Sequence, residues 1–391
     1  MAGSRESKPL IVLTSHVAAE YHRVIYDCLA GRVTDSGLNR PGRWEPRSFD
    51  DMLAGADVFH LHWPEWLLPP DIRLHQQFIA ALRRSGLTLI LSQHNLRPHR
   101  SSDALDHIYQ LWAGAADGVI HHSQWGMERA LAFQPYRPGC RHVVIGHPHF
   151  GPLVTQRDAR PEVERQFGWR SDVTRLSIIG APRPAKEVDE VMAAFARTRR
   201  PDLELRVFCL DGGGPVPEDP RIFVEPYSRV GRSTYDRRLI ASDALIMPFH
   251  RTEMLTTGTV ADAIAHGLPC LTSDWRFLDE VLGDAAISYG AQPAGLSTCL
   301  EQLDRAQLRR AADAAAALRV RYDPAQTAEA VFAFVEEVRA STLSSPIRLS
   351  PSRWAHIVKQ VQDEVAMQRE GLVTDTPKAP EKEPTATRTC N

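Results

Sequence analysis

Residues 245–275 read Leu-Ile-Met-Pro-Phe-His-Arg-Thr-Glu-Met-Leu-Thr-Thr-Gly-Thr-Val-Ala-Asp-Ala-Ile-Ala-His-Gly-Leu-Pro-Cys-Leu-Thr-Ser-Asp-Trp. An apolar run stops at Pro248 and a polar loop follows. A helix opens at Thr256-Thr-Gly-Thr259 and runs to Gly267, and a second apolar run covers residues 268–272. That order turns the free backbone N–H groups of a helix start toward a strand end, an anion site suited to a diphosphate. Asp262 follows about one and a half turns into the helix, within reach of a ribose. Gly258 lets the backbone come close to a ligand. Taken alone, the pattern also fits an ordinary strand–helix–strand unit.

The same alternation extends in both directions. Apolar runs at 10–14, 58–61, 87–92, 118–121 and 142–145, then at 175–180, 203–209, 221–224, 244–247, 268–272 and 286–288, read as buried parallel strands. Amphipathic segments separate them, including helices over 21–29, 71–84 and 102–115. The fold class expected is α/β, two Rossmann-like doubly wound domains facing a cleft, with C-terminal helices over 307–320 and 325–340. A chain of 391 residues exceeds one ordinary core, so two domains are natural. The polar stretch 151–172 marks the boundary, giving domains at 1–160 and 161–343. Residues 344–370 read as a terminal helix, around 352–369, that returns to the first domain, and 371–391 as a disordered tail.

Bulk properties exclude several classes. A net charge of −2 gives no general attraction to nucleic acid or to an anionic membrane. The six cysteines include no C-x-x-C pair and mostly sit in apolar runs, as reduced core thiols do. The N-terminal residues lack a long apolar stretch and no later stretch reaches membrane-spanning length, so a cytoplasmic location is expected, with peripheral contact at the inner face of a membrane left open.

Several constellations can carry chemistry. Residues 176–189, Leu-Ser-Ile-Ile-Gly-Ala-Pro-Arg-Pro-Ala-Lys-Glu-Val-Asp, form a strand, a loop at Gly180 and a helix start, with Arg183 and Lys186 between. Arg183 can clamp phosphate oxygens with two parallel N–H bonds, and Lys186 adds a compact charge; solvated charges at a helix start are the plain alternative. The turn Pro226-Tyr227-Ser228 offers a ring on which a nucleotide base can stack, or simply an exposed turn tyrosine. In the first half, Leu91-Ser-Gln-His-Asn-Leu-Arg-Pro-His places His94 just after a strand. The run His60-Leu-His62-Trp63-Pro64-Glu65 brings imidazoles, an indole and a carboxylate to the neighbouring strand end. Trp63 and Trp66 suit a sugar ring or a lipid headgroup, or Trp63 closes the loop over the core. His16, Glu20, His22 and Arg23 follow the first strand, and His121, His122, His147 and His149 sit at further strand ends.

The stretch 245–275 resembles the donor-nucleotide region of GT-B glycosyltransferases, especially the retaining group marked by two Glu eight positions apart, among them bacterial exopolysaccharide-type transferases. Asp262, in Asp-Ala-Ile-Ala-His-Gly-Leu-Pro, matches the second acid; the first falls on Met254, with Glu253 one place off. That group's phosphate loop is Gly-Arg, four residues, then Lys-Gly. Gly180 and Lys186 keep its spacing, while Ala181 stands where Arg is usual. His94 matches the His that faces the reaction centre in that group. The resemblance implies a hexosyltransferase that moves a sugar from a nucleoside-diphosphate sugar, UDP or GDP, to a hydroxyl on a glycan, a lipid-linked glycan or a small molecule. Polysaccharide biosynthesis is the setting it suggests. His94, Arg183 and Lys186 would be catalytic. Gly180, Pro226, Tyr227, Glu253, Thr256, Thr257, Gly258, Thr259 and Asp262 would hold the donor, and His16, His22, His62, Trp63 and Glu65 the acceptor. No metal and no cofactor is expected, since cations and helix N–H groups stabilise the leaving diphosphate and no Asp-x-Asp tripeptide occurs. Retention at the sugar is the outcome the two-acid group implies. Two rivals remain: a non-catalytic nucleotide-sugar-binding protein, and a metallohydrolase built on His60-x-His62, His121-His122 and His147-x-His149.

Overall fold

Parallel strands with both faces covered need no polar side, so short apolar runs suffice to specify them. The computed structural model describes residues 9–15, 19–35, 49–98, 102–183, 186–210, 216–249, 254–290 and 293–344. In the first half the strands are β1 (Leu10–Thr14), β2 (Val33–Asp35), β3 (Val58–Leu61), β4 (Thr88–Ser92), β5 (Gly118–His121) and β6 (Arg141–Val144), in spatial order β2-β1-β3-β4-β5-β6. In the second half they are β7 (Thr174–Ile178), β8 (Leu203–Leu210), β9 (Ile222–Pro226), β10 (Ala244–Met247), β11 (Cys270–Ser273) and β12 (Ala286–Gly290), in order β12-β11-β10-β7-β8-β9. Both sheets are parallel throughout.

Strand order fixes where a ligand can enter. In each sheet the order reverses once, between β1 and β3 (Val12 beside Val58) and between β7 and β10 (Leu245 beside Ser177). Connections depart to opposite faces at such a point and leave a crevice beyond the carboxyl ends of the strands. The loops after β1, β3 and β4 therefore meet those after β7 and β10.

The second sheet is packed on both sides. One face buries Leu176, Ile178, Leu205 and Ile246 against the helix Val188–Ala196; the other buries Leu245, Met247 and Cys270 against the helix Gly258–His266. On the first sheet, Val12, Ile90 and Ile120 pack against Phe334, Val335 and Val338 of the helix Pro324–Ser344. Trp112, Phe59 and Phe78 form a second buried cluster, in which the Trp112 indole N–H donates to His75 Nδ1 at 2.9 Å.

The helix Pro324–Ser344 corrects the division drawn from sequence. Counted there with the second half, it crosses back and completes the first core. The terminal helix expected around 352–369 and the tail 371–391 lie outside the described residues, as do His16 and Glu253. The boundary stretch 151–172 is no plain linker, since it forms a helix, Arg160–Phe167. The thiols also divide: Cys209 and Cys270 are buried, while Cys28 is exposed.

The returning helix approaches β5 closely at Gly118. A Cβ there would lie 2.8 Å from Val338 Cγ2, 3.0 Å from Phe334 Cζ and 3.1 Å from Ile90 Cδ1. Gly118→Ala is expected to cost about 1–3 kcal/mol through overpacking, measured by urea denaturation. An unchanged midpoint would mean that the helix yields freely.

Candidate active site

Backbone geometry builds the second-half wall. Gly180 leaves β7 with φ +92°, and a Cβ there would lie 3.1 Å from Thr259 Oγ1 and 3.4 Å from Lys186 Nζ. Glycine thus serves both the backbone angle and the approach. Lys186 Nζ donates to the carbonyls of Ile179 (2.9 Å) and Ala181 (3.0 Å), so the ammonium is held beside the helix start. Burial pulls its pKa down to about 8, opposed by Cys209 and assisted by Arg183. Burial also lowers Arg183, against the pull of Tyr227 and Glu65. The Arg183 guanidinium has no hydrogen bond or ion pair among the described residues. Thr257 caps the helix Gly258–His266 by accepting from Thr259 N.

Asp262, 5% exposed, is not waiting empty. Its Oδ2 accepts from Tyr235 O–H at 3.0 Å, and its Oδ1 lies 2.8 Å from Arg232 Nη2. Burial lifts its pKa to about 6, opposed by Arg232 and Tyr235. A ribose would have to share this carboxylate. Arg232 and Tyr235 escaped the sequence reading, although both follow the Pro226 loop at helical spacing and so face the same side.

On the first-half wall His94, 4% exposed, stacks on Trp63 (4.3 Å between centroids, 15° between planes), with its Nε2 3.4 Å from His62 Nδ1. The two walls are stitched together at this point. Leu255 N donates to His94 O at 2.9 Å, and Asn95 forms an antiparallel bridge with Met254. The bridge fixes the register, so a thioether lines the cleft where the resemblance puts the first acid.

The walls enclose a cleft of about 900 Å³. His94, Arg183, Lys186, Gly180 and Tyr227 line it, as do the four residues Thr256–Thr259, Asp262 and Trp63. Pro226 does not; it ends β9 on the exposed side, and Tyr227 N donates back to Leu210 O at 2.8 Å.

Three expected acceptor residues are corrected. His62 lies beneath His94, 2% exposed, and burial followed by neighbouring imidazoles drives its pKa well below the ordinary value. His22 is 4% exposed, with Nε2 2.8 Å from Thr14 Oγ1 and its ring stacked on Tyr26. Glu65 is drawn aside to accept from Tyr109 O–H at 2.6 Å. None of the three lines the cleft: His62, at the end of β3, and His22, in the helix Glu20–Tyr26, are buried, and Glu65, in the turn Pro64–Trp66, is held by Tyr109.

Of four further lining residues, the sequence singles out Trp66 as an aromatic face and His147 as a strand-end histidine of the cleft, while Tyr21 and Phe150 are additions. Tyr21, His147, Phe150 and Trp66 line the cleft, and Trp66 is 41% exposed. Tyr21 stands at the centre of a histidine nest, its ring 4.9–5.4 Å from those of His62, His94, His122 and His147. Strand-end position was the available signal for His147.

The histidine pairs do not assemble a metal centre. His60 is spent on Tyr26 O–H (2.6 Å) and Ser92 Oγ (2.9 Å), His121 on His142 (3.0 Å) and His149 Nδ1 on Gly151 N (2.9 Å). Among the described residues no group of three or more His, Cys, Asp or Glu is arranged to hold an ion, which leaves the metallohydrolase reading without a site. No helix among the described residues is long and apolar enough to cross a membrane.

No family model matches the chain. Among curated proteins it is similar to a GDP-mannose:glycolipid 4-beta-D-mannosyltransferase of Xanthomonas campestris pv. campestris, 25% identical over 306 residues, 68% of this chain and 81% of the relative. Among solved structures it is similar to the sucrose-phosphate synthase of Thermosynechococcus elongatus, with TM-score 0.63, 12% identity and coverage of 85% of this chain and 100% of that one. It is also similar to Anabaena HepE in complex with UDP and glucose, with TM-score 0.62, 14% identity and coverage of 84% and 100%. Two parallel six-stranded sheets facing one cleft are the GT-B architecture; the chain has that fold, and its homologues are glycosyltransferases.

Proposed function

We propose that this chain transfers a sugar from a nucleoside-diphosphate sugar to a hydroxyl acceptor. The observation that carries the reading is the meeting of Lys186 and Thr259 across Gly180, where β7 and β10 open into the cleft. Breaking the bond between anomeric carbon and phosphate leaves negative charge on the diphosphate. A fixed ammonium, the free Arg183 guanidinium and the helix start stabilise that charge in a site that needs no reorganisation. These groups do the work without a divalent metal or a cofactor. The acceptor enters along the wall of Trp63 and His94. By analogy with the curated relative, a lipid-linked glycan is the acceptor we favour, with contact at a membrane surface following from it.

Retention, the outcome implied by the two-acid resemblance, is the first reading; the acceptor proton then passes to the leaving phosphate oxygen. Met254 in the place of the first acid favours inversion as a second reading, with His94 taking that proton. The relative's name specifies a β-linked product, which an α-linked donor gives only by inversion. Proton NMR of the product anomer decides between the two.

The transfer itself is tested by thermal shift against UDP, GDP and their common sugars, followed by acceptor-dependent release of nucleoside diphosphate. A nucleotide at a hundred times its Kd stabilises the fold by about 2.7 kcal/mol. Stabilisation without acceptor-dependent release would make the chain a binding protein. No stabilisation by any nucleotide would remove the reading altogether.

A further inference from the structure

His147 follows β6 and lines the cleft, packed edge-on against Phe150 (5.4 Å, 74°) and tilted against Tyr21 (4.9 Å, 59°). Its Nδ1 lies 2.8 Å from the Pro148 carbonyl. A carbonyl only accepts, so Nδ1 carries the proton and the neutral ring leaves a lone pair on Nε2. Burial lowers the His147 pKa to about 4, which keeps the ring neutral at ordinary pH. Its neighbour His122, with ring centroids 5.3 Å apart, is locked the same way: Nδ1 donates to Ile145 O at 3.0 Å, while Nε2 is buried without a partner among the described residues. His122 lies behind the lining, so what His147 presents to the cleft is the acceptor Nε2, with the Tyr21 hydroxyl, able to donate or accept, beside it. A neutral sugar hydroxyl supplies a donor. At Nε2 itself a carboxylate or phosphate oxygen would meet a lone pair and be repelled.

We propose that His147 determines sugar specificity, its Nε2 accepting a hydrogen bond from one hydroxyl of a neutral transferred pyranose. The inference rests on the donor reading above and assigns a residue to the sugar rather than to the diphosphate. One added hydrogen bond of this kind is worth up to about tenfold in affinity.

The test uses the full chain and calorimetric titration with UDP, GDP, UDP-glucose, GDP-mannose and UDP-glucuronate. His147→Phe keeps a flat ring against Tyr21 and Phe150 and removes the acceptor. Where it does not fold, His147→Leu, which also carries no acceptor, repeats the measurement. The expected result is nucleoside-diphosphate affinity within about twofold of wild type, with affinity for the neutral sugar nucleotide about tenfold weaker. Wild type should also bind UDP-glucuronate more weakly than UDP-glucose. Deoxyfluoro donors, whose fluorine cannot donate, should reproduce the loss in wild type at one ring position and add nothing in H147F. Equal weakening of nucleotide and sugar nucleotide, or of neither, overturns the assignment while leaving the donor reading standing. Wild type that binds none of the five overturns both.

Discussion

Lys186→Met is expected to lower kcat/KM with the sugar nucleotide by about two to three orders of magnitude, the usual loss when one preorganised donor is removed from a developing anion. Methionine keeps most of the stem, so the packing over Phe249, whose ring centroid lies 5.7 Å from Nζ, largely survives. Two carbonyls, Ile179 O and Ala181 O, lose a donor, both in the segment at Gly180 that lines the cleft. Stability should therefore fall far less than activity. The pH dependence supplies a second readout. With a pKa of about 8, Lys186 is mostly charged at pH 7 and mostly neutral at pH 9 in the free enzyme. A bound diphosphate favours the charged form, so binding above pH 8 must also recruit a proton. Donor affinity is expected to weaken by up to about tenfold per unit above that point, and K186M should lose this slope. Full activity in K186M, or an unchanged slope, would take Lys186 out of the diphosphate site.

The elements of that second-half wall were legible in the sequence because each is local. A strand, a glycine at positive φ and a helix start are consecutive in the chain, and a few residues decide where their N–H groups point. Strands were legible for a related reason, since burial on both faces leaves unbroken apolar runs such as Leu89-Ile-Leu91. The missed strand, β2, is three residues reading Val-Thr-Asp at a sheet edge, too short and too polar for that signal. The first-half wall was less legible because its order is tertiary. Whether His62 meets solvent or lies under His94 depends on Trp63, which follows β3, and on Tyr21, in the first turn of the helix Glu20–Tyr26. Asp262 appeared free to bind a ribose because Arg232 and Tyr235 reach it only once their helix packs beside its own. The segment 151–172 reads as a boundary from its polar, charged composition and weak strand signal. Glu164, 4% exposed, and Arg160 instead turn inward to serve the second sheet.

Those inward charges lead to the largest stability change expected. Arg175→Met should cost about 3–5 kcal/mol, the usual result of removing one member of a buried ionic network. Arg175 lies on β7, the strand that delivers Gly180 to the cleft, and is 0% exposed. Its Nε donates to Glu204 Oε1 at 2.7 Å, and its Nη1 to Glu164 Oε1 and Ala241 O, both at 2.8 Å; Nη2 reaches Arg170 O. The guanidinium also lies 4.9 Å from the Trp169 ring centroid. Methionine fills part of that space but leaves two buried carboxylates short of a partner. Each keeps one other: Glu164 retains Arg160 at 2.9 Å, and Glu204 retains Arg206 at 2.8 Å. The loss should therefore be severe without abolishing the fold. Adding Glu204→Gln to Arg175→Met removes one stranded charge and should recover part of the loss, a coupling that independent sites would not show. Urea denaturation of the two single variants and the double completes the cycle. Additive losses would mean that Arg175 and Glu204 contribute separately; a coupling above about 1 kcal/mol identifies one network under the Gly180 loop.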